Sequence, residues 1–177
     1  TVSEAISDLP KLGSGEGSDE VKYPSPIGKL TAFQKEMLDW KLCPDPKRHK
    51  ALYNHEASRH TEKLIKMIKA AKPGESVDPK YSDSKKWHPD NPGFTVKALG
   101  AGGGSTNRRA FHYDPQCIRG STIRENARIQ SFPDWFRFMG AKTHQMTQVG
   151  NAVPPKRALH IGKSIANSLD DAAESSK

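Results

Sequence analysis

The sequence has little cysteine and no long apolar run, and each absence excludes a class of protein. Its 177 residues include two cysteines, Cys43 and Cys117, too few for a disulfide framework or a cysteine-rich zinc site. No stretch approaches the roughly 18 apolar residues of a membrane-spanning helix, and the first residues lack the layout of a secretory signal. These features predict a cytoplasmic protein, or a nuclear one if the source is eukaryotic.

Apolar residues are also scarce. Hydrophobic residues make up 34% of the chain and charged residues 27%, so we do not expect a large self-sufficient core. The formal net charge of +8 favours an anionic partner, with nucleic acid the leading candidate. Many soluble proteins are mildly basic, however, and the lysines and arginines are spread along the whole chain. The charge therefore suggests a partner class without locating a binding surface.

Neither the histidines nor the cysteines form a persuasive chemical motif. His49, His55 and His60 are spaced by six and five residues, which does not place them on one helical face, and no carboxylate or thiol completes a ligand set. We therefore expect no metal site. Cys117 could act as a nucleophile if Arg119 with His112 activated its thiol, but a lone cysteine is more often inert filler.

Two glycine-rich stretches lead to different predictions. The segment Leu12–Gly17 follows no predicted strand, so it is interpreted as a flexible loop rather than a phosphate-binding loop. The segment Gly100–Ser105 precedes Arg108, Arg109 and His112. Because glycine lets a backbone approach a ligand closely and arginine suits phosphates and base edges, nucleic-acid contact is favoured there over a solvated hairpin loop.

The secondary-structure signals are strongest near threonines. Thr31 with Gln34 has the spacing of a capping box and predicts a helix with Phe33, Met37 and Trp40 on one face. A second helix is predicted over Ser58–Ala71, whereas residues 13–20 and 77–120 are predicted to be irregular.

Two further helices are predicted near the end of the chain. The first begins at Thr122, whose spacing to Glu125 is that of a capping box, and stops near Phe132–Pro133. Pro154-Pro155 opens the second, and residues beyond it, 170–177, are expected to fray. Its predicted buried stripe consists of Ala158, Ile161, Ile165 and Leu169.

Two segments resemble the last two conserved motifs of the DNA cytosine-5 methyltransferases. The core of motif IX is matched by Arg124, Glu125, Ala127, Arg128, Gln130, Phe132, Pro133 and Asp134. Motif X is matched by Gln148–Pro155 and its trailing helix, so the resemblance is strong over Ser121–Ala166. Weaker similarity to the family covers residues 1–10, 52–60 and 87–96.

The resemblance implies an α/β fold that forms the C-terminal part of an S-adenosylmethionine-dependent methyltransferase. A small irregular α+β target-recognition lobe would accompany helices that complete a Rossmann-like large domain. The implied organisation is a connecting segment and helix at 1–50, the target-recognition region at 51–120, the motif IX and X helices at 121–169, and a flexible tail at 170–177.

The resemblance also implies site residues. Contacts with the shared cofactor S-adenosylmethionine would come from Gly150, Asn151, Ala152 and Val153, with Gly150 permitting the close approach. Contacts with double-stranded DNA would come from Thr95, Lys97, Ser105, Thr106, Arg108, Arg109 and His112. A bracing rather than substrate-contacting role is implied for Arg124, Glu125 and Arg128, whose arginines could hold carbonyls or carboxylates.

Several family motifs are missing. The family's nucleophile lies in a Pro-Cys pair, yet neither Cys43 nor Cys117 follows a proline, and no Glu-Asn-Val motif is present. The sequence therefore predicts the C-terminal half of a DNA cytosine-5 methyltransferase, whose partner polypeptide supplies the catalytic cysteine. The alternative is a non-catalytic DNA-binding or regulatory module derived from such an enzyme, and an independent enzyme using Cys117 is a more distant third.

Overall fold

The computed structural model describes residues 1–23, 28–45, 50–80, 83–98 and 110–175 as a mixed α/β chain. Its helices and strands follow in the order α1 (Val2–Ile6), β1 (Gly17–Lys22), α2 (Ala32–Met37), β2 (Ala51–Glu56), α3 (Glu62–Ala70), α4 (Ile123–Ile129), α5 (Lys142–Asn151) and α6 (Pro155–Ser175). A 3₁₀ turn at Trp40–Leu42 follows α2. In these residues, no helix is both long and apolar enough to cross a membrane.

The two strands pair antiparallel, with Gly17 opposite Glu56 and Lys22 opposite Ala51. The prediction of a loop over residues 13–20 is therefore wrong from Gly17 onward. The strand was hidden by its polar composition, because its side chains are at most half-buried and show no apolar alternation. Gly17 is required by space as well as by its φ of 90°, since a Cβ there would lie 2.3 Å from the carbonyl oxygen of His55.

Two apolar clusters surround α4 and place it at the centre of the described fold. The first joins α1 to β2 and consists of Val2, Ala5, Ile6, Leu9, Leu52 and Trp87. The second joins α4 to α5 and consists of Val96, Ala127, Phe132, Phe138, Met146 and Val149. The helix α1, which the sequence did not predict, is therefore part of the core. A third, smaller cluster lies beneath α3 and consists of Ile68, Val77 and Phe111.

Threonines cap four helices in the described chain, and Thr1 forms a capping box with Glu4 at the start of α1. The capping boxes at Thr31 and Thr122 are confirmed, with the hydroxyl accepting from the third residue of each helix. Thr61 caps α3, so that helix begins at Glu62 rather than at the predicted Ser58. Helix α2 ends at Met37, so Trp40 lies beyond it, and α4 ends at Ile129, short of the predicted stop near Phe132.

The irregular character predicted for residues 77–120 is confirmed where the chain is described. Those residues contain isolated bridges, such as Lys86 with Phe111, but neither a helix nor a strand. Residues 94–98 likewise belong to neither a helix nor a strand.

The C-terminal helices differ from the prediction in three ways. A helix that the sequence did not predict, α5, includes the first part of the motif X segment and ends at Asn151. Helix α6 does open at Pro155, but it continues through Ser175, where the sequence predicts fraying. The predicted stripe on α6 is not buried, because Ile161, Ile165 and Leu169 are 50%, 57% and 65% exposed, and Ala158 is exposed as well. The pattern identified an apolar face correctly, but no described part of this chain covers it.

Candidate functional site

Helix α4 carries three wholly buried charged side chains, Arg124, Glu125 and Arg128. A buried charge is tolerated only when partners replace its lost hydration. Each of the three has such partners, and together they connect α4 to several distant parts of the chain. These are the residues for which the family resemblance implies a bracing role.

Glu125 forms a bidentate ion pair with Arg119. The Arg119 Nη1 and Nη2 atoms lie 2.8 and 2.6 Å from the two carboxylate oxygens, and the backbone N–H of Thr122 donates to Oε2 at 2.8 Å. Burial alone raises the pKa of Glu125, but the charge and hydrogen bonds of Arg119 outweigh it and lower that pKa to about 2. The carboxylate is therefore ionised throughout the physiological range.

Arg128 holds two carboxylates at once. Its Nε and Nη2 atoms donate to Asp134 at 2.6 and 2.7 Å, while Nη1 and Nη2 donate to Asp8 at 3.1 Å each. Nη1 also donates to the carbonyl oxygen of Ala5 at 2.9 Å, and the hydroxyl of Tyr23 bonds to Asp134. Although burial opposes ionisation of Asp134, the bonds from Arg128 hold its pKa below the usual range. Arg128 thus joins α1 to the segment after α4.

Arg124 binds backbone carbonyls instead of forming a close carboxylate pair. Its guanidinium donates to the carbonyl oxygens of Tyr53 at 2.9 Å, Pro133 at 3.2 Å and Phe136 at 2.6 Å. Buried Asn54, the next residue of β2 after Tyr53, has a φ of 61° and exchanges hydrogen bonds with the backbone of Phe138. The strand β2 and residues 133–138 are therefore held together by polar side chains.

His112 lies inside the chain rather than on its surface. Its ring is 6% exposed, stacks on Tyr113 and has Nε2 3.7 Å from Glu125 Oε1. Burial lowers its pKa, so the ring is neutral near pH 7. A contact between His112 and DNA would require the ring to leave this position, and the DNA-binding role implied for it stays a prediction.

The remaining chemical candidates from the sequence also have internal partners. His55 Nε2 donates to the carbonyl oxygen of Pro10 at 2.8 Å, and His60 Nε2 accepts from the backbone N–H of Gly120 at 2.9 Å. His49 lies outside the described residues. Cys117 is buried, which raises the pKa of its thiol and disfavours the reactive thiolate.

The predicted DNA-contacting residues fall partly within the described chain. Thr95 and Lys97 are exposed, whereas Val96 between them is buried in the α4–α5 cluster. Lys97 Nζ lies 2.9 Å from Asp83 Oδ2 in a half-exposed pair. The other four predicted contacts lie outside the described residues, and they are Ser105, Thr106, Arg108 and Arg109.

The residues predicted to face the cofactor lie where α5 ends. Asn151 is the last residue of α5 and is exposed, Ala152 is half-buried, and Val153 is 61% exposed. Gly150 behaves differently, because the backbone of Lys97 and Ala98 occupies the space beside it. The segment that carries the predicted DNA-contacting residues Thr95 and Lys97 therefore meets the predicted cofactor-contacting segment at Gly150. The sequence did not indicate this contact.

Sequence reasoning missed the partners of the buried arginines. Arg119 pairs with Glu125, Asp8 pairs with Arg128, and the hydroxyl of Tyr23 accepts a hydrogen bond from Arg128. These three partners lie outside the segment that resembles motif IX. The signal in the sequence was a pair of arginines one turn apart, Arg124 and Arg128, which favours nearby acids without identifying them.

Comparison with known proteins gives a family match over most of the chain. Residues 20–167 match the family model described as C-5 cytosine-specific DNA methylase. The chain is 32% identical to the Type II methyltransferase M.DdeI of Desulfomicrobium norvegicum, aligning 94% of this chain with 42% of that protein. It is 38% identical to the Type II methyltransferase M.XorII of Xanthomonas oryzae pv. oryzae, aligning 96% of this chain with 41% of that one.

The fold of this chain also matches part of a solved structure. The chain superposes on the crystal structure of a candidate DNA modification methyltransferase encoded within an E. coli prophage, with a TM-score of 0.69 at 24% identity. The alignment covers 96% of this chain and 47% of that one, so it shows a shared fold. The chain thus spans about two fifths of the length of the curated relatives it matches and about half of the solved structure.

Proposed function

This chain belongs to the C-5 cytosine-specific DNA methylase family, and from that membership we propose that it is the target-recognition and cofactor-facing part of a DNA cytosine-5 methyltransferase. The reaction would transfer a methyl group from S-adenosylmethionine to C5 of a cytosine flipped out of the duplex, since a stacked base is inaccessible to such chemistry. Neither Cys43 nor Cys117 follows a proline, so the catalytic cysteine would come from a polypeptide part beyond these residues, whether a separate chain or a connected one.

One observation carries the proposal: the backbone of Lys97 and Ala98 lies against Gly150, the residue before Asn151. Thr95 and Lys97 are exposed on the segment that rests against Gly150 in the last turn of α5. A threonine hydroxyl and a lysine ammonium suit phosphate oxygens of a DNA backbone. The arrangement would bring duplex and methyl donor to the same edge of this lobe.

The end of α5 is suited to a ligand with both polar and apolar parts. The Asn151 amide can donate and accept hydrogen bonds, and the exposed side chain of Val153 offers apolar contact two residues later. S-adenosylmethionine has such a composition and supplies the methyl group when bound. In this role Asn151 and Val153 would orient it, and Ala152 would line the same surface.

The uncovered face of α6 supports a larger assembly. Ile161, Ile165 and Leu169 together expose an apolar stripe on a helix of 21 residues. Contiguous apolar surface of this kind marks an interaction site, and because each side chain is already partly covered, burying the rest of it would stabilise a complex by roughly 1–2 kcal/mol. The remaining part of the enzyme, which the longer relatives contain, is the proposed occupant. A bacterial enzyme of this kind would act in the cytoplasm.

The proposal is tested by methyl transfer from radiolabelled S-adenosylmethionine to mixed-sequence duplex DNA. The chain is assayed alone and then with the polypeptide that contributes the cysteine-bearing part. Methylation only in the mixture is the expected result, and methylation by this chain alone contradicts the division of roles. If both samples are inactive while salt-sensitive DNA binding persists, the second candidate, a non-catalytic DNA-binding module, replaces the first.

A further inference from the structure

Gly150 occupies a position that no other residue could take without moving its neighbours. A Cβ built on it would lie 2.2 Å from the backbone N of Ala98, 2.5 Å from the carbonyl carbon of Lys97 and 2.6 Å from the Cα of Ala98. These are backbone atoms, so no side-chain rotation relieves the clash.

The conformation of Gly150 does not itself require glycine. The residue is the ninth of the ten in α5 and has helical backbone geometry, where glycine costs roughly 1 kcal/mol relative to alanine. Space, rather than φ, is therefore the reason for glycine at this position. The space is used by the chain's own backbone at residues 97–98 rather than being open toward a ligand.

The backbone that rests on Gly150 carries the two exposed residues of the proposed DNA contact. Val96 anchors this segment by packing in the same cluster as Val149, the residue before Gly150. Val96 is buried, whereas Thr95 and Lys97 on either side of it are exposed, so the anchor at Val96 fixes the backbone from which both exposed side chains extend. Helix α5 is fixed in turn, since Gln130 Nε2 at the end of α4 donates to the carbonyl oxygen of Val149 at 3.1 Å.

We propose that Gly150 is a positioning residue for DNA, setting the height of Thr95 and Lys97 above α5. The proposal rests on the proposed function and deepens it, because it assigns Gly150 to the DNA side of the site instead of the cofactor side. An added methyl group would push the 97–98 backbone outward by about 1 Å, and displacement of that size in a positioned group can cost up to about a hundredfold in rate. Asn151, whose side chain is exposed on the neighbouring position, would keep its own access to cofactor.

The test measures the two Michaelis constants of the assembled enzyme separately. Gly150→Ala is expected to raise KM for duplex DNA about tenfold or more while KM for S-adenosylmethionine stays within about twofold of wild type. Gly28→Ala is the matched control, because a Cβ there meets nothing within 4 Å, and it should change neither constant. Asn151→Ala should give the reverse pattern, with the rise in KM for S-adenosylmethionine.

A purely structural role for Gly150 would lower the active fraction and the melting temperature without separating the two constants. A rise in KM for S-adenosylmethionine alone, or equal rises in both, overturns the proposal. If Gly150→Ala does not fold, KM for duplex DNA is measured in Val96→Ala instead, because that change loosens the same segment without adding a clash. An unchanged KM for DNA in Val96→Ala then overturns it. A wild-type assembly that transfers no methyl group contradicts the proposed function itself. If the wild-type assembly is active and Gly150→Ala has the same two KM values, only the role of Gly150 is contradicted.

Discussion

Arg128 shows at the scale of one residue how this lobe uses charge. Its guanidinium is buried between Asp134 and Asp8, and removing it would take the close counter-charge from both carboxylates, leaving Asp134 with Arg124 Nη1 at 3.8 Å. We expect Arg128→Met to lower the free energy of unfolding by roughly 3–5 kcal/mol in urea denaturation. Lys142→Met is the control, because its half-exposed pair with Glu56 should contribute at most about 1 kcal/mol. If Arg128→Met and Lys142→Met lowered the free energy of unfolding equally, the buried ion pair would be no more important than the exposed one.

The buried histidines predict how stability depends on pH. Burial lowers the pKa of both His55 and His112 below the usual 6.5, so under mild acid the unfolded chain binds protons that the folded chain does not. The free energy of unfolding should therefore fall as the pH drops below that value. A second loss should follow between the ordinary pKa of Glu125, 4.5, and its folded value of about 2.

Urea midpoints measured between about pH 7.5 and 5 check the first of these losses. His112→Gln should give a shallower decline, since one of the two titrating rings is gone. A decline as steep as that of wild type would assign the effect to other groups.

At the scale of elements, threonine caps explain why short helices form in a chain with few apolar residues. Thr122 accepts from the backbone N–H of Glu125 and bonds through its hydroxyl to His55 Nδ1 at 3.0 Å, inside the protein. Thr122→Ala should therefore lower the free energy of unfolding by about 2 kcal/mol, at the upper end for a cap.

Thr61→Ala gives the comparison, because Thr61 caps the exposed start of α3 without a reciprocal bond from a glutamate or glutamine. Thr61→Ala should lower the free energy of unfolding by roughly 0.5–1 kcal/mol, the lower range for caps. Urea denaturation of both variants measures the difference. A cost for Thr61→Ala that matched or exceeded that of Thr122→Ala would show that the buried contact with His55 adds nothing.

At the scale of the whole molecule, α6 predicts a variant that damages assembly but not folding. Ile165 is 57% exposed, so Ile165→Glu should change the free energy of unfolding of this chain by no more than about 0.5 kcal/mol. In the proposed enzyme it should abolish association with the cysteine-bearing part, because a charge would enter an apolar interface.

Co-purification and methyl-transfer assays check this prediction. Lys163→Glu, on the polar side of the same helix and exposed, should leave association nearly unchanged. If Ile165→Glu associates as well as Lys163→Glu does, the apolar face of α6 is not the surface that the remainder of the enzyme covers.

The sequence by itself determined the features that depend on local chemistry. Capping boxes at Thr31 and Thr122 and the proline opening of α6 were all predicted, because backbone N–H groups at a helix start are satisfied by residues within three positions. The family was recognised from residues within a 46-residue segment for a similar reason, since its motifs are contiguous.

Only the tertiary structure decided which residues meet across the chain. Strand β1 is polar and α1 is short, so neither carried a periodic signal, and both exist because they pack against or pair with β2 and α4. The partners of Arg128, the burial of His112 and the backbone resting on Gly150 each join residues far apart in sequence. Amphipathic spacing identified the apolar face of α6, but whether a face is buried depends on what lies opposite it, and that is a property of the assembled molecule.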